Sequence, residues 1–421
     1  MDMQRAVKIF NDPVHGFIEA PRGVFLDILD HPWVQRLRRI QQLSLSNLVY
    51  PGATHTRLNH ALGAYHLTKE ALRQLAYKGI EISEEEELAT LIAILLHDIG
   101  HGPFSHALEG HLAPGVHHEA LSLALMHGLK AQMDGPLEEA MAIFQGEHPK
   151  FFLHQLISSQ LDMDRLDYLI RDSFFTGVAE GVVGTARLIK TLNVVDNQLV
   201  VEQKGIYSVE KFLVARRIMY WQVYLHKTTL AGEQMLVNAM RRARQLRHAG
   251  EKVPAPEALQ LCLDMQHQPQ DLSGDFLDTF TELDDHDVLS ALKMWRKHSD
   301  PVLRLLSDGL MNRRLFKVQF LESYHEAPAW EGHLQASREY CIQQLGVAPE
   351  DVEYFVFGGQ VGNRGYLGEG DDPIQIICKD GVVRDLLQAS DFTVMQALQK
   401  PVTKNYLCYY PAPSEAQIVE A

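Results

Sequence analysis

Residues 97–106 read HDIGHGPFSH, so three imidazoles and one carboxylate crowd into ten positions. They directly follow LATLIAILL, a run without a single charge. Such side chains bind metal ions and move protons, and an apolar core needs neither. His97 and Asp98 fall at the C-terminal end of the helix that the run would form. Gly100 and Gly102 stop that helix, and Pro103 prevents an immediate restart. Neighbouring residues on a helix point about 100° apart. Both therefore reach one ion only if it lies off the helix end. Imidazole and carboxylate together suit a divalent cation: magnesium, manganese, iron, cobalt, nickel or zinc. Two ligands are too few. His60, in HTRLNHALGAYH, is a further candidate, and so is Asp164, in LDMDRLDYLIRD. Asp164, Tyr168 and Asp172 are spaced i, i+4, i+8 and share one helical face. The apolar residues around them argue for partial burial, and a buried carboxylate needs a cationic partner.

Each of these features alone has a plain explanation. A His-Asp dipeptide is usually chance, and a lone histidine in an apolar helix usually packs and hydrogen-bonds. Their sum is the signal, because His101, His106 and His118 add further imidazoles nearby in sequence.

Helices must position these groups. Apolar residues recur at helical spacing over 24–45, with a break at DHPW where Asp30 would cap a helix carrying Pro32 in its first turn. Helices are also predicted over 58–78, 83–99 (Ser83 and Glu86 forming a capping box), 117–130, 151–172, 184–192 and 206–248. NVVDNQLVVEQKG reads as a small hairpin turning at Asp196-Asn197. Beyond Pro254 and Pro256 come more helices. After RRLFKVQFL the texture changes to short β-type runs: EYFVFGG, DPIQIICKDG and YLCYYP. The expected fold is mostly α: a helical bundle over residues 1–310, followed by a smaller C-terminal α+β lobe over 311–421. The glycine-rich FGGQVGNRGYLGEG lacks the Lys-Ser/Thr pair of a phosphate loop and is expected to be a mobile surface connection.

Composition bounds the rest. The chain has 421 residues, 46% hydrophobic and 22% charged, with net charge −15. That acidity disfavours indiscriminate binding to nucleic acid or to an anionic membrane. The longest apolar run is about half of the roughly 20 residues that a bilayer demands. Cys262, Cys341, Cys378 and Cys408 are scattered, and read as reduced thiols of a cytoplasmic protein.

The order His60, His97-Asp98, Asp164 resembles the signature of the HD-domain phosphohydrolases. NDPVHGFIE, QRLRRIQQL, YPGATHTRLNHALG, LLHDIGHGPFSHALEG and DMDRLDYLIRD closely resemble segments of the deoxynucleoside triphosphate triphosphohydrolases, above all the vertebrate SAM-and-HD-domain branch and its bacterial relatives. The resemblance implies an HD-domain helical bundle. It implies that His60, His97, Asp98 and Asp164 bind a divalent metal, and that a dNTP is split into deoxynucleoside and tripolyphosphate. It places Arg57, Arg165 and Arg216 on the phosphates. His106, Glu109 and His118 become the acid–base group, with His101 closer to phosphate than to metal. Gln42, Tyr168, Asp172 and Tyr224 would select the sugar. Lys8, Asn11, Asp30, Gln35 and Arg38 match a guanine-nucleotide regulatory site, and Arg187, His226, Lys227, Arg313 and Lys317 resemble further positions of it. In the family such sites lie between subunits, so a homo-oligomer is implied. Two readings compete: another HD-type nucleotide phosphatase or phosphodiesterase, and a non-catalytic binder of nucleotides or single-stranded nucleic acid. The intact ligand set argues against loss of catalysis.

Overall fold

The charge-free run ahead of His97 is a buried helix, and the bundle is built around it. The computed structural model describes residues 7–411, apart from 268, 270–271, 322–326, 364–365 and 367–372. The described chain is mostly α, as expected. It opens with a hairpin in which β1 (Val7–Asp12) pairs antiparallel with β2 (Gly16–Pro21). Two short helices follow, α1 (Val24–Asp30) and α2 (Pro32–Gln35). Here the expected cap is corrected. Asp30 closes α1, while His31 caps α2 and accepts from the Trp33 N–H at 3.3 Å. Pro32 forces extended backbone on the residue before it, which is the conformation an N-cap requires.

The core is α3 (Arg57–Tyr77), α4 (Glu84–Leu96), α5 (His118–Gln132), α6 (Leu137–Gln145), α7 (Phe151–Gln155) and α8 (Met163–Thr176). The Ser83–Glu86 capping box starts α4 as expected. Residues Ala89–Leu96 are all buried, so this part of α4 has no polar stripe and is packed all round. α3 packs against both α4 and α8. The expected helix over 151–172 is broken, because Asp162 caps α8 by accepting from the Arg165 N–H at 2.6 Å. Asp164 consequently stands in the first turn of α8.

After α9 (Thr185–Thr191), β3 (Leu192–Val195) and β4 (Gln198–Glu202) form the expected hairpin. Asp196 and Asn197 turn it with φ of 47° and 63°, a conformation those side chains tolerate. The expected helix over 206–248 is also split. α10 (Ile206–Met219) runs into a π-turn at Tyr220–Tyr224 before α11 (Lys227–His248) begins. α12 (Glu257–Asp264), α13 (Gly274–Glu282), α14 (Asp285–Trp295) and α15 (Pro301–Met311) form a second cluster with α11. The remaining elements are β5 (Lys317–Leu321), α16 (Ala327–Gln343), β6 (Val356–Asn363), β7 (Gln375–Ile377), β8 (Val383–Asp385), the short helices α17 (Leu386–Ala389) and α18 (Val394–Leu398), β9 (Val402–Tyr409) and a 3₁₀ turn at Pro349–Tyr354. They build sheets of order β5-β9-β6 and β3-β4-β7-β8, so β7 adds in parallel to the earlier hairpin. The glycine-rich segment is corrected as well. Its first part is β6, paired antiparallel with β9 along its whole length. Gly359 lies against the Tyr406 ring, where a β-carbon would collide, so this glycine permits close packing rather than a turn. Most of the segment's remainder lies outside the described residues. Among the described residues, no helix is long and apolar enough to cross a membrane.

Arg36 ties the two helical clusters together. Its fully buried guanidinium donates to the carbonyls of Ile99 (2.7 Å), His101 (2.9 Å), Leu283 (3.0 Å) and Phe280 (3.5 Å). Burial pulls its pKa down to about 10, which leaves it charged at neutral pH. Replacing Arg36 with Met keeps the volume but strands these carbonyls. The expected loss is roughly 3 kcal/mol in urea denaturation, and a loss below about 1 kcal/mol would show that water replaces the side chain.

Candidate active site

His60 is presented by the first turns of α3 and is fully buried. Its Nδ1 meets Asp167 Oδ2 at 2.8 Å, and its Nε2 faces Asp164 Oδ1 at 2.9 Å. His97, at the end of α4, anchors Nδ1 on the Ile94 carbonyl at 2.7 Å. Its Nε2 lies 3.5 Å from both Asp98 Oδ1 and Asp164 Oδ1. Ligand-type atoms of His60, His97 and Asp164 thus lie within 4.8 Å of one another, and Asp98 stands beside them, 3.8 Å from His60. The Nε2 atoms of His60 and His97 are buried without a hydrogen-bond partner, and both point at carboxylates. Burial pulls His60 down, yet the carboxylates of Asp164 and Asp167 beside it lift it to about 10. Burial likewise would raise Asp98, but Arg57, His97 and His101 hold it well below its ordinary value. A centre that draws positive charge toward two carboxylates and two free imidazole nitrogens fits a divalent metal.

Around this centre the groups sort by chemistry. Arg57 Nη1 pairs closely with Asp98, and Arg57 Nε donates to Ser105 Oγ at 2.8 Å. Arg165 donates from Nε to the Ser159 carbonyl at 2.6 Å and to Asp162 at 3.1 Å. The His101 and His118 rings stack at 3.9 Å, and His106 meets His101 edge-on at 4.9 Å. Glu109 joins two of these imidazoles, with His118 Nδ1 at 2.8 Å and His106 Nδ1 at 3.1 Å. Burial would raise Glu109, but the hydrogen bonds from the His118 N–H and ring and from His106 keep it ionised. Burial and Arg57 lower both His101 and His106.

Asp172 lies buried at another wall, accepting from the Tyr224 hydroxyl at 2.7 Å and meeting His55 Nε2 at 2.8 Å. Tyr224 is there because the π-turn ends α10. Tyr168 is pushed up to about 12 by burial, so it is a neutral hydroxyl. One cavity of about 700 Å³ touches Gln42, Arg57, Asp98, Asp164, Arg165 and Asp172, as well as the imidazole group. Arg216 is not in that lining. Its guanidinium stands 6.0 Å from the Tyr220 ring, which itself lines the cavity.

The expected regulatory positions lie on the surface. Lys8 Nζ faces Asp30 at 3.4 Å, and Arg38 donates to Gln35 at 2.6 Å. Asn11 is exposed on β1. Arg187 bonds the Lys204 carbonyl and Arg313 the Leu48 carbonyl. His226 caps α11 beside Tyr50, Lys227 stands over Phe320, and Lys317 is exposed on β5.

Sequence reasoning missed the layer behind the candidate metal ligands. Asp167 is fully buried and takes His15 Nε2 at 2.6 Å, His60 Nδ1 at 2.8 Å and Arg171 Nε at 2.8 Å. Arg171 also reaches Asp12 at 2.7 Å. Asp167 had a signal, since it lies three residues after Asp164 in an apolar setting. His15 had none, because only the tertiary fold brings the hairpin turn to α8.

The comparisons agree with this geometry. A model of the HD domain matches residues 57–172, and one of the HD associated region matches 183–269. The chain superposes on the crystal structure of a phosphohydrolase from Bacteroides thetaiotaomicron with TM-score 0.90 and 49% identity, covering 96% of this chain and 100% of that one. The chain belongs to the HD-domain phosphohydrolases. It is 28% identical to YwfO of Bacillus subtilis over 96% of this chain and 92% of that protein. It is 31% identical to the deoxynucleoside triphosphate triphosphohydrolase SAMHD1 homolog of Dictyostelium discoideum over 60% of this chain, which spans 53% of that protein's length.

Carboxylates that orient ligating histidines tune metal affinity. Replacing Asp167 with Asn is expected to weaken Mn(II) binding by roughly ten- to a hundredfold in calorimetric titration of metal-stripped protein. Unchanged affinity would mean that Asp167 serves packing alone.

Proposed function

We propose that this phosphohydrolase acts on deoxynucleoside triphosphates and releases the deoxynucleoside and intact tripolyphosphate. The observation that carries this reading is the single cavity in which ligand carboxylates, two arginines, a Glu109-linked imidazole group and the Asp172–Tyr224 pair all face one space. Its volume suits a nucleotide. A divalent metal held by His60, His97, Asp98 and Asp164 would polarise a phosphate and lower the pKa of a nearby water. Arg57 and Arg165 oppose the negative charge that builds on the phosphates. The ionised Glu109 holds His106 and His118 in place, and either imidazole, when protonated, can pass its proton to the departing 5′-oxygen. Asp172 has an acceptor for a sugar hydroxyl, and the Tyr224 ring beside it adds bulk against a 2′-hydroxyl.

Hydrolysis in heavy-oxygen water is the test. The label is expected in tripolyphosphate and not in the nucleoside, and Asp98→Ala is expected to abolish turnover and metal content together. Orthophosphate as first product would point instead to a γ-phosphatase, and full activity of Asp98→Ala would overturn the mechanism.

We also propose that a guanine nucleotide bound at the Lys8–Asp30 and Gln35–Arg38 patch regulates the enzyme, with a second copy of the chain completing the site. A carboxylate can accept from guanine N1–H and its 2-amino group while Arg donates to O6. Adding GTP is expected to raise dATP hydrolysis and the assembly mass measured by light scattering, and Asp30→Ala to remove both effects. GTP that alters neither leaves the patch a surface ion pair.

A further inference from the structure

One cavity wall carries a group that the metal and phosphate chemistry leaves unused. Glu233, on α11, lines the cavity together with Gln42, Ser44, Gln234 and Val237. Burial pushes its carboxyl up to about 7, and only the Ser44 hydroxyl pulls the other way. Arg57, by contrast, bears on Asp98, His101 and His106. Glu233 therefore stands apart from the phosphate-binding charge. On the same cavity lining, Gln42 has a buried side-chain oxygen with no hydrogen-bond partner. Ser44 is only 7% exposed and holds a left-handed backbone with φ 46°. Strained backbone of that kind persists where a side chain must be aimed.

We propose that Glu233, flanked by Gln42 and Ser44, reads the hydrogen-bonding edge of the substrate base. The inference rests on the dNTP reading above. With phosphates at Arg57 and Arg165 and the sugar at Asp172 and Tyr224, this neutral polar wall is left for the base. A carboxylic acid offers one donor and one acceptor, which complements the amino group and adjacent ring nitrogen of adenine or cytosine. A carboxylate offers acceptors only, which complements the N1–H and 2-amino group of guanine. The preferred base therefore depends on the proton of Glu233. Other titratable groups lining the cavity include His106, His111, Glu109, His118, Tyr220 and Tyr224. Burial lowers His106 and His111 and raises Tyr224, away from the neutral window. On α11 itself, Lys227 sits over Phe320 and Arg241 over Tyr354.

The experiment is direct competition of dGTP against dATP in one vessel between about pH 6 and about pH 8, read by chromatography of the two nucleosides. Competition cancels every effect common to both substrates, including metal loading and acid–base catalysis. The dGTP-to-dATP ratio of kcat/KM is expected to rise about fivefold or more across that window. Glu233→Gln, whose amide also offers a donor and an acceptor, is expected to hold the ratio flat near the acid value, with thermal melting confirming its fold. If the variant does not fold, the wild-type ratio decides alone. A ratio independent of pH in the wild type, or one that still rises in Glu233→Gln, overturns the base-reading role while dNTP hydrolysis stands. If no dNTP is split at all, the proposed function itself falls, and the base assignment with it.

Discussion

The Asp167 carboxylate has no water to turn to. It is fully buried, so its charge must be met inside the protein. His15, His60 and Arg171 meet it, and they come from the hairpin turn, α3 and α8. An uncompensated buried charge costs several kcal/mol. The three elements therefore cannot drift apart without exposing it. The same contact fixes the His60 ring, leaving Nε2 aimed at Asp164. Gly63 belongs to this arrangement, because a β-carbon there would collide with Asp167 and Arg171. Structural cohesion and ligand orientation are thus one interaction seen from two sides.

Electrostatics divides the cavity beyond that hub. In one region Arg57 holds Asp98 down, and burial together with Arg57 lowers the imidazoles of His101 and His106. Glu109 provides a local counterweight to those imidazoles. Asp172 and Tyr224 form a hydrogen-bonded pair elsewhere. Such partition gives one pocket a cationic region, an imidazole region and a polar hydroxyl–carboxylate region. It is preorganised, since most of these groups are already held by a second partner.

Interruptions in helices do much of the positioning. Asp162 restarts the chain after α7, and so puts Asp164 in a first turn facing α3. The π-turn at Tyr220–Tyr224 ends α10 and turns Tyr224 toward Asp172 and Tyr168. The Gly100–Pro103 stop after α4 frees His101 to stack on His118. Regular helices supply rigidity, and their ends supply the chemistry.

The sequence alone determined the helices with strong periodicity, the capping box at Ser83 and the hairpin at Asp196-Asn197. These rest on local physics: hydrogen bonds and hydrophobic spacing within a few residues. It also determined His60, His97, Asp98 and Asp164 as a candidate set, because ligand-type residues beside apolar runs are conspicuous. Tertiary structure alone decided the helix breaks, since a π-turn or a mid-segment cap is stabilised by packing that propensity does not contain. It decided that Arg36 binds carbonyls from two distant segments. It decided that His15 and Asp167 share a hydrogen bond across 152 positions of chain. And it decided which side of each helix faces the cavity, leaving Arg216 outside the lining and bringing Glu233 into it. Periodicity marks a buried face but does not distinguish a face against core from a face against a site. That distinction exists only once the elements have packed.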